Sequence, residues 1–336
     1  MNTERKVRFG ILGTSRIAKK SAIPAIIVSD EAQLVMIGSR DADNARICAE
    51  EFGCDGYGTY DEVLASPDID AVYISLPNSL HEEWAIKAAQ AGKHVWCEKP
   101  AALTYASAQR MVAACRHNNV RLIEGFMFLY HPQHAKVREI IQSGALGKII
   151  SFNGIFSFPM PAPDNIRMNA DLGGGVLNDA CTYPIRASRM IFETEPESIE
   201  GRLTIDPQTG VDIKAEVNLV YPGGILATAS AAFEEGYRST YEVIGSKGRL
   251  WLERAYAVPR DMPVKIYVEK DGDVQEITIG PTDQFKLMID EFCREIRKGD
   301  TSTARYEDDL LQQARLLEAS RRSHEESRMM QLAEIN

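Results

Sequence analysis

Two short stretches carry residues whose types and spacing suit chemistry. The first is VWCEKPA, Val95 to Ala101, where an acid, a base and a proline follow what reads as the end of a buried strand, His94 to Cys97. In an open parallel sheet ligands bind beyond the carboxyl ends of the strands, so Glu98 and Lys99 would reach the place where a bound cofactor meets its substrate. A lysine between packed neighbours and a fixed-φ proline loses little freedom on engaging a ligand, as a positioned hydrogen-bond donor should. The competing reading is a surface Glu-Lys pair worth roughly 0–1 kcal/mol. The second stretch is DLGGGVLNDACTYPIRAS, residues 171–188. Its three glycines let a backbone come close to something, and on the helix that follows Asp179 and Tyr183, four apart, share a face. A carboxylate and a phenol projected together make a polar head for a pocket. Against that stands an aspartate favoured by the helix dipole above a half-buried tyrosine.

The elements that must position the first stretch alternate. Val7 to Leu12 is an apolar run ending in GILGTSRIA, after which Ile17 to Val28 takes up helical spacing. Gly13, Ser15 and Ala18 stand where a dinucleotide fingerprint wants G-x-G-x-x-G/A, with serine as a departure at the second place. Strand and helix patterns then follow at Leu34 to Gly38, Asp43 to Phe52, Ala71 to Leu76, Leu80 to Ala91, Tyr105 to Asn118 and Arg121 to Gly125. Such alternation predicts an α/β fold, a doubly wound parallel Rossmann sheet over residues 1–126. The second strand ends in IGSRDA, where an NAD enzyme would place an acid against the ribose. Ser39 and Arg40 suit a 2′-phosphate instead, and Arg16 can add a second positive charge, so the expected cofactor is NADP(H) rather than NAD(H). In the alternative, Arg40 is a solvated loop residue and Asp41 is the NAD acid. In SLPNSLH, Pro77 ends a strand, Asn78 or Ser79 caps the next helix, and His81 reads as a first-turn residue lining the cofactor site.

From Phe126 the pattern changes. FMFLYHPQH leads into an amphipathic segment, Pro132 to Ser143, then a strand at Ile149 to Phe158. His131 and His134 suggest a metal pair, but no cysteine or nearby carboxylate completes a site, so polar contact with a substrate is expected and no metal. Arg167, in a proline-rich connection, either reaches a ligand or is a lone loop charge. Further strand-like runs at Ile199 to Ile205, Lys214 to Tyr221, Ile225 to Ala232, Ser239 to Ile244, Arg249 to Glu253, Val264 to Lys270 and Val274 to Ile279 are punctuated by turn residues. They predict a large, mostly antiparallel open sheet in an α+β domain over residues 127–336, closed by helices at Gln284 to Arg297 and Glu307 to Ser323. One face of that sheet would be available for a homodimer or homotetramer.

The 336 residues suit two domains. A formal charge of −10 argues against a nucleic-acid partner. Six scattered cysteines read as reduced thiols of a cytoplasmic protein. No apolar run approaches the roughly 18 residues of a membrane span or forms a signal peptide.

GILGTSRIA, SLPNSLH and CEKPA, in this order and spacing, resemble the glucose-fructose oxidoreductase / inositol dehydrogenase / MocA family of NAD(P)-dependent oxidoreductases. In that family the place of Asp179 and Tyr183 is a D-x-x-x-H motif facing the EKP lysine across the nicotinamide. Tyrosine at 183, where most members have histidine, is similar to the glucose-fructose oxidoreductase, dihydrodiol dehydrogenase and sugar-ketoreductase branches. The resemblance implies catalytic places for Lys99, Asp179 and Tyr183. It implies cofactor contacts for Gly10, Gly13, Thr14, Ser15, Arg16 and Ile17 at the pyrophosphate, Ser39 and Arg40 at the ribose, and Leu76, Pro77, Asn78, His81 and Glu98 elsewhere. Tyr130, His131, Gln133 and Arg167 join Asp179 and Tyr183 around a sugar or nucleotide-sugar substrate. In the expected mechanism Tyr183 transfers a proton, Lys99 polarises the carbonyl and tunes the phenol, and Asp179 orients the substrate or the lysine. FMFLYHPQH with TYPIRA is most similar to the branch that reduces the 3-keto group of nucleotide-linked deoxysugars. The alternatives are an NADP-dependent aldose or trans-dihydrodiol dehydrogenase and, in another class, a non-catalytic NADP-binding regulator.

Overall fold

The computed structural model describes residues 5–299 and 305–335, in two compact units. The first is the chain up to Met127 with Phe285–Leu311; the second is Phe128–Gln284 with Gln312–Asn336.

In the first unit β1 (Val7–Leu12), α1 (Ile23–Val28), β2 (Ala32–Gly38), α2 (Ala42–Glu51), β3 (Gly56–Gly58), α3 (Tyr60–Ala65), β4 (Ala71–Ile74), α4 (His81–Gln90), β5 (His94–Cys97), α5 (Tyr105–His117) and β6 (Leu122–Glu124) alternate. All six strands are parallel, in the order β3-β2-β1-β4-β5-β6. The order reverses between β1 and β4, so the loops leaving these strands flank the crevice of a doubly wound sheet. Helices cover both faces, which is why the central strands are apolar on both: Phe9, Ile11, Val72, Tyr73, Val95 and Trp96 are at most 1% exposed. The first helix departs from the expected continuous pattern. It opens with a π-helical turn, Ala18–Ala22, and only then becomes α1. Pro24 has no N–H to return to the preceding turn, and the wider turn absorbs the lost bond.

The second unit contains α6 (Pro132–Gln142), β7 (Ile149–Ser157), α7 (Thr182–Phe192), β8 (Ser198–Ile205), β9 (Asp212–Tyr221), β10 (Ile225–Ala232), β11 (Arg238–Gly245), β12 (Gly248–Leu252), β13 (Val264–Lys270) and β14 (Asp273–Ile279). After these come α8 (Gln284–Lys298), α9 (Arg305–Glu326) and β15 (Met330–Gln331). The sheet runs β14-β13-β12-β11-β7-β10-β9-β8-β15 and is antiparallel except where β7 lies beside β10. One face packs α7, whose residues Thr182 to Ile191 are all buried. Phe152, Gly154 and Phe156 alternate towards it; a Cβ on Gly154 would lie 2.6 Å from Pro184 Cβ. His134 of α6 completes this core. Its Nε2 donates to the Ala255 carbonyl at 2.9 Å and its Nδ1 accepts from the Tyr241 hydroxyl at 2.9 Å, and burial holds its pKa down at about 3.

The expected division at residue 126 differs in one respect: residues 285–311 belong with the first unit, not the second. Phe285 packs near Trp96, with ring centroids 6.3 Å apart, and Asp290 accepts the Ser29 hydroxyl at 2.5 Å. Glu307 receives Arg121 Nε at 3.0 Å, Arg121 Nη2 at 3.1 Å and the Leu122 amide at 3.0 Å. An amphipathic pattern announces a helix but not which sheet its apolar face will cover. Five of the six thiols are buried, and burial pushes Cys115 and Cys293 up to about 12. Among the described residues no helix is long and apolar enough to cross a membrane.

The Arg121 and Glu307 side chains are 2% and 4% exposed, so truncating one leaves a buried charge alone. Glu307→Ala is expected to cost about 3–5 kcal/mol, read from urea unfolding midpoints; a loss below about 1 kcal/mol would rule out a buried-pair role. A second expectation concerns pH. Burial, helped by the Arg121 charge, lowers the His94 pKa to about 4 from an ordinary 6.5. Folded chains therefore bind fewer protons than unfolded ones between those values, so the contribution is complete above pH 6.5 and is lost as pH falls towards 4. The parent midpoint should drop across this window and less steeply in His94→Gln; equal slopes would exclude His94 as a source.

Candidate active site

The cofactor-side residues of the first unit leave the carboxyl ends of its strands. Gly13, directly after β1, has φ +103°, and a Cβ there would lie 2.9 Å from the Leu76 side chain and 3.2 Å from the Ser75 carbonyl oxygen. Only glycine turns the chain this sharply against the neighbouring loop. Ser15 compensates for its departure from glycine by accepting the Ala18 amide on its hydroxyl at 3.2 Å, closing the turn. Thr14, Ser15 and Ile17 are partly exposed and Arg16 is exposed. Gly10, counted with this turn from the sequence, lies inside β1 instead. Its missing side chain makes room for Val63 and Ile69, because a Cβ there would meet Val63 Cγ1 at 2.5 Å.

After β2, Ser39 is buried and Arg40 exposed. The competing acid, Asp41, caps α2: its Oδ1 accepts the Asp43 amide at 2.9 Å and the Asn44 amide at 3.3 Å. One oxygen of that carboxylate is committed to the helix start, the Ser39 hydroxyl accepts the Asp41 amide at 3.4 Å, and the Arg40 guanidinium is what the loop exposes. Tyr60, which the sequence did not single out, brings its phenol to the Arg40 backbone and its ring edge-on to Trp84 at 4.9 Å.

The loops after β4 and β5 are joined. His81 is fully buried, with Nδ1 2.9 Å from the Pro100 carbonyl oxygen and Nε2 2.9 Å from that of Leu76. Burial lowers its pKa against the pull of both carbonyls, and the Lys99 charge acts in the same direction. His81 thus stands behind the two loops and holds them; it does not line them. Pro77 and Asn78 are partly exposed, and Leu76 is 8% exposed. Glu98 is also buried, and its Oε1 accepts the hydroxyl of fully buried Tyr73 at 2.7 Å. A surface Glu-Lys pair is therefore the wrong description of this acid. Between Glu98 and buried Pro100, Lys99 is the residue with side-chain exposure. The amide of Ala101 closes the exit on Glu124 at 2.9 Å.

In the second unit the glycine run does bring a backbone close. Gly173 has φ +75° and Gly175 φ +102°. A Cβ on Gly174 would collide with the Arg167 carbonyl, and one on Gly175 with the Asp212 carboxylate. Asp212 in turn accepts the Leu177 amide at 2.5 Å, capping from 35 residues away the π-helical turn Leu177–Cys181 that leads into α7. The loop folded back this way lays Arg167 on Asp179, Nε to Oδ2 at 2.6 Å, and the carboxylate keeps the guanidinium's pKa above its ordinary value. Tyr183 adds to that field. Arg167 is therefore not a lone loop charge: it is paired, with its side chain 40% exposed, against Asp179 at 16%. Asp179 and Tyr183 fall in turns of different pitch, not on one regular helix. The Tyr183 ring is 4% exposed and packs among Phe156, Phe128 and Tyr256 at 5.1, 5.7 and 5.7 Å between centroids.

The remaining candidates divide. Tyr130 is partly exposed. Gln133 is fully buried and donates to the carbonyls of Arg254 at 3.1 Å and Ala255 at 3.3 Å, so its amide nitrogen clamps the fold, while its Oε1 has no hydrogen-bond partner. His131 caps α6 by accepting the Gln133 amide on Nδ1, and is 1% exposed. Among the described residues no group of three His, Cys, Asp or Glu is placed to hold a metal. Tyr73, Asp212, Phe156 and Tyr256 were not legible as site residues, because each acts on a partner remote in the chain and sits in an ordinary strand or turn context.

Residues 7–126 match the family described as an oxidoreductase family with an NAD-binding Rossmann fold, and residues 134–251 match the GFO/IDH/MocA C-terminal domain. The chain is similar to a dTDP-3,4-didehydro-2,6-dideoxy-alpha-D-glucose 3-reductase of Saccharopolyspora spinosa, 38% identical over 94% of this chain and 96% of the relative. It is similar to an NADP(+) D-xylose 1-dehydrogenase of Haloferax volcanii, 35% identical over 87% and 90%. A crystal structure of a 3-ketoreductase from Actinomadura kijaniata in complex with NADP and TDP-benzene shares 33% identity and a TM-score of 0.91, covering 95% of this chain and 98% of the other. A glycine turn, a lysine after β5 and a tyrosine on α7 thus lie in a chain that belongs to the GFO/IDH/MocA family of oxidoreductases.

Proposed function

We propose that this protein is an NADP-dependent oxidoreductase acting on a carbonyl or hydroxyl of a sugar, and specifically a reductase of nucleotide-linked keto sugars. The observation that carries the reading is the ion-paired Asp179 and the aromatic-ringed Tyr183 on one chain with the pinned Lys99 loop. The four relatives named as dTDP-keto-sugar 3-reductases, 30–38% identical, support the substrate class. The Haloferax relative favours a second reading, an NADP-dependent aldose dehydrogenase.

The residues fit the cofactor. Gly13 takes the chain through a positive-φ turn packed against Leu76 and Ser75, the amides after it open the wide turn that leads into α1, and Arg40, exposed beside Ser39, offers a guanidinium for a 2′-phosphate. Bound NADPH supplies the hydride. Reduction of a carbonyl leaves an alkoxide that needs a proton, and Tyr183 supplies it from its phenol. Lys99 stabilises the developing negative charge on the substrate oxygen. Asp179, its charge balanced by Arg167, orients the substrate hydroxyls without ionic strain.

Tyr183→Phe keeps the ring and removes the proton. Its kcat for a nucleotide-linked keto sugar should fall by about 10²–10⁴ while NADPH binding is retained, followed by nicotinamide absorbance; an unchanged kcat removes tyrosine from the mechanism. Arg40→Ala should raise KM for NADPH by roughly tenfold, leaving that for NADH nearly unchanged; equal effects on both would place the 2′-phosphate elsewhere.

A further inference from the structure

Beyond the Tyr183 cluster, the second unit carries an aromatic-cation pair that no step above uses. Phe156 packs edge-on against Tyr183 on one side and against Tyr237 on another, with centroids 5.1 and 6.2 Å away. The Tyr237 ring is 43% exposed, and the Arg254 guanidinium carbon lies 4.6 Å from its centroid. Arg254 is partly buried and has no ion pair with an acid among the described residues. Its chain neighbour Glu253 meets the Tyr267 phenol instead, and Glu234 pairs with Lys214 at 3.2 Å. The position of Arg254 is built, not incidental. Its carbonyl takes the Gln133 side chain at 3.1 Å and the next amide donates to Ser239 at 2.6 Å. The result is a cation without an ion-pair partner among the described residues, lying over an exposed ring one ring removed from the phenol.

We propose that Tyr237 and Arg254 seat the nucleoside diphosphate half of the substrate, Arg254 on the diphosphate and Tyr237 against the ribose or base. This rests on the keto-sugar reading and names what that reading leaves open, namely what distinguishes a nucleotide-linked sugar from a free one. A guanidinium matches phosphate oxygens in a planar, bidentate way, and an aromatic face accepts any base by stacking. The order suits the ligand: Tyr237 is linked to Tyr183 through the single ring of Phe156, and in a nucleotide-linked sugar the diphosphate sits on the anomeric carbon, a different ring carbon from the one that would meet Tyr183.

The test is titration calorimetry of thymidine 5′-diphosphate into the full chain saturated with NADP. The parent should bind saturably, Arg254→Ala and Tyr237→Ala should each weaken binding by about tenfold or more, and Tyr237→Phe should retain it. Inorganic pyrophosphate should lose affinity in Arg254→Ala but not in Tyr237→Ala. Absence of diphosphate binding to the parent, or affinities of both alanine variants within about twofold of it, overturns the proposal. Tyr183→Phe separates the two readings. Nucleotide binding with undiminished turnover in that variant sinks the catalytic reading and leaves the seat standing. Reduction of free aldoses by a parent that ignores the diphosphate sinks the seat alone.

Discussion

In the first unit, the loops that carry chemistry hang on one buried imidazole. His81 reaches the carbonyl after β4 with one nitrogen and the carbonyl after Lys99 with the other, both at 2.9 Å. A ring wedged between two loops at once fixes their separation, whichever of its nitrogens carries the proton. Glu98, held by Tyr73, pins the chain on the other side of Lys99. The lysine is therefore offered from a backbone fixed at both flanks, so most of the ordering entropy of that loop is spent during folding and not at each binding event.

The second unit solves the same problem by different means. Its connection between β7 and α7 is long, and loops of that length are usually mobile or functional. Three glycines let it fold flat on Asp212 and on its own Arg167 carbonyl, and the Arg167–Asp179 pair then holds the closed form. A substitution at 174 or 175 has to displace backbone or a buried carboxylate, not a flexible side chain. The ring cluster of Phe128, Phe156 and Tyr256 supports the phenol from beneath, where burial lets aromatic edges and faces meet without competing water.

Much of this was legible from local pattern, and what was not shares one cause. The parallel alternation, the Gly13 turn and the strands from Ile199 to Ile279 follow from period and turn chemistry, which a short window contains. The close approach implied by Gly173 to Gly175 was also readable, but its partner Asp212 was not, since nothing near residue 212 marks it. The resemblance marked Gln133 and His131 as substrate contacts, but the partners they do have, the 254–255 carbonyls and the α6 start, are set by the tertiary fold and could not be read locally. Residues 285–311 show the same limit: their amphipathic spacing fixed a helix, while Ser29, Arg121 and Trp96 decided which sheet it covers.

The cap at the start of α2 has a consequence for anyone wishing to retarget the nucleotide preference. If the ribose lies where we propose, the nearest acid already caps its own helix through two amides, and pulling it away would cost the cap, about 1 kcal/mol, before any new contact formed. On that placement, removing the exposed guanidinium takes away a phosphate contact without supplying an acid for the ribose. A redesign has to import its own carboxylate at position 39 or 40 and leave its neighbour in place.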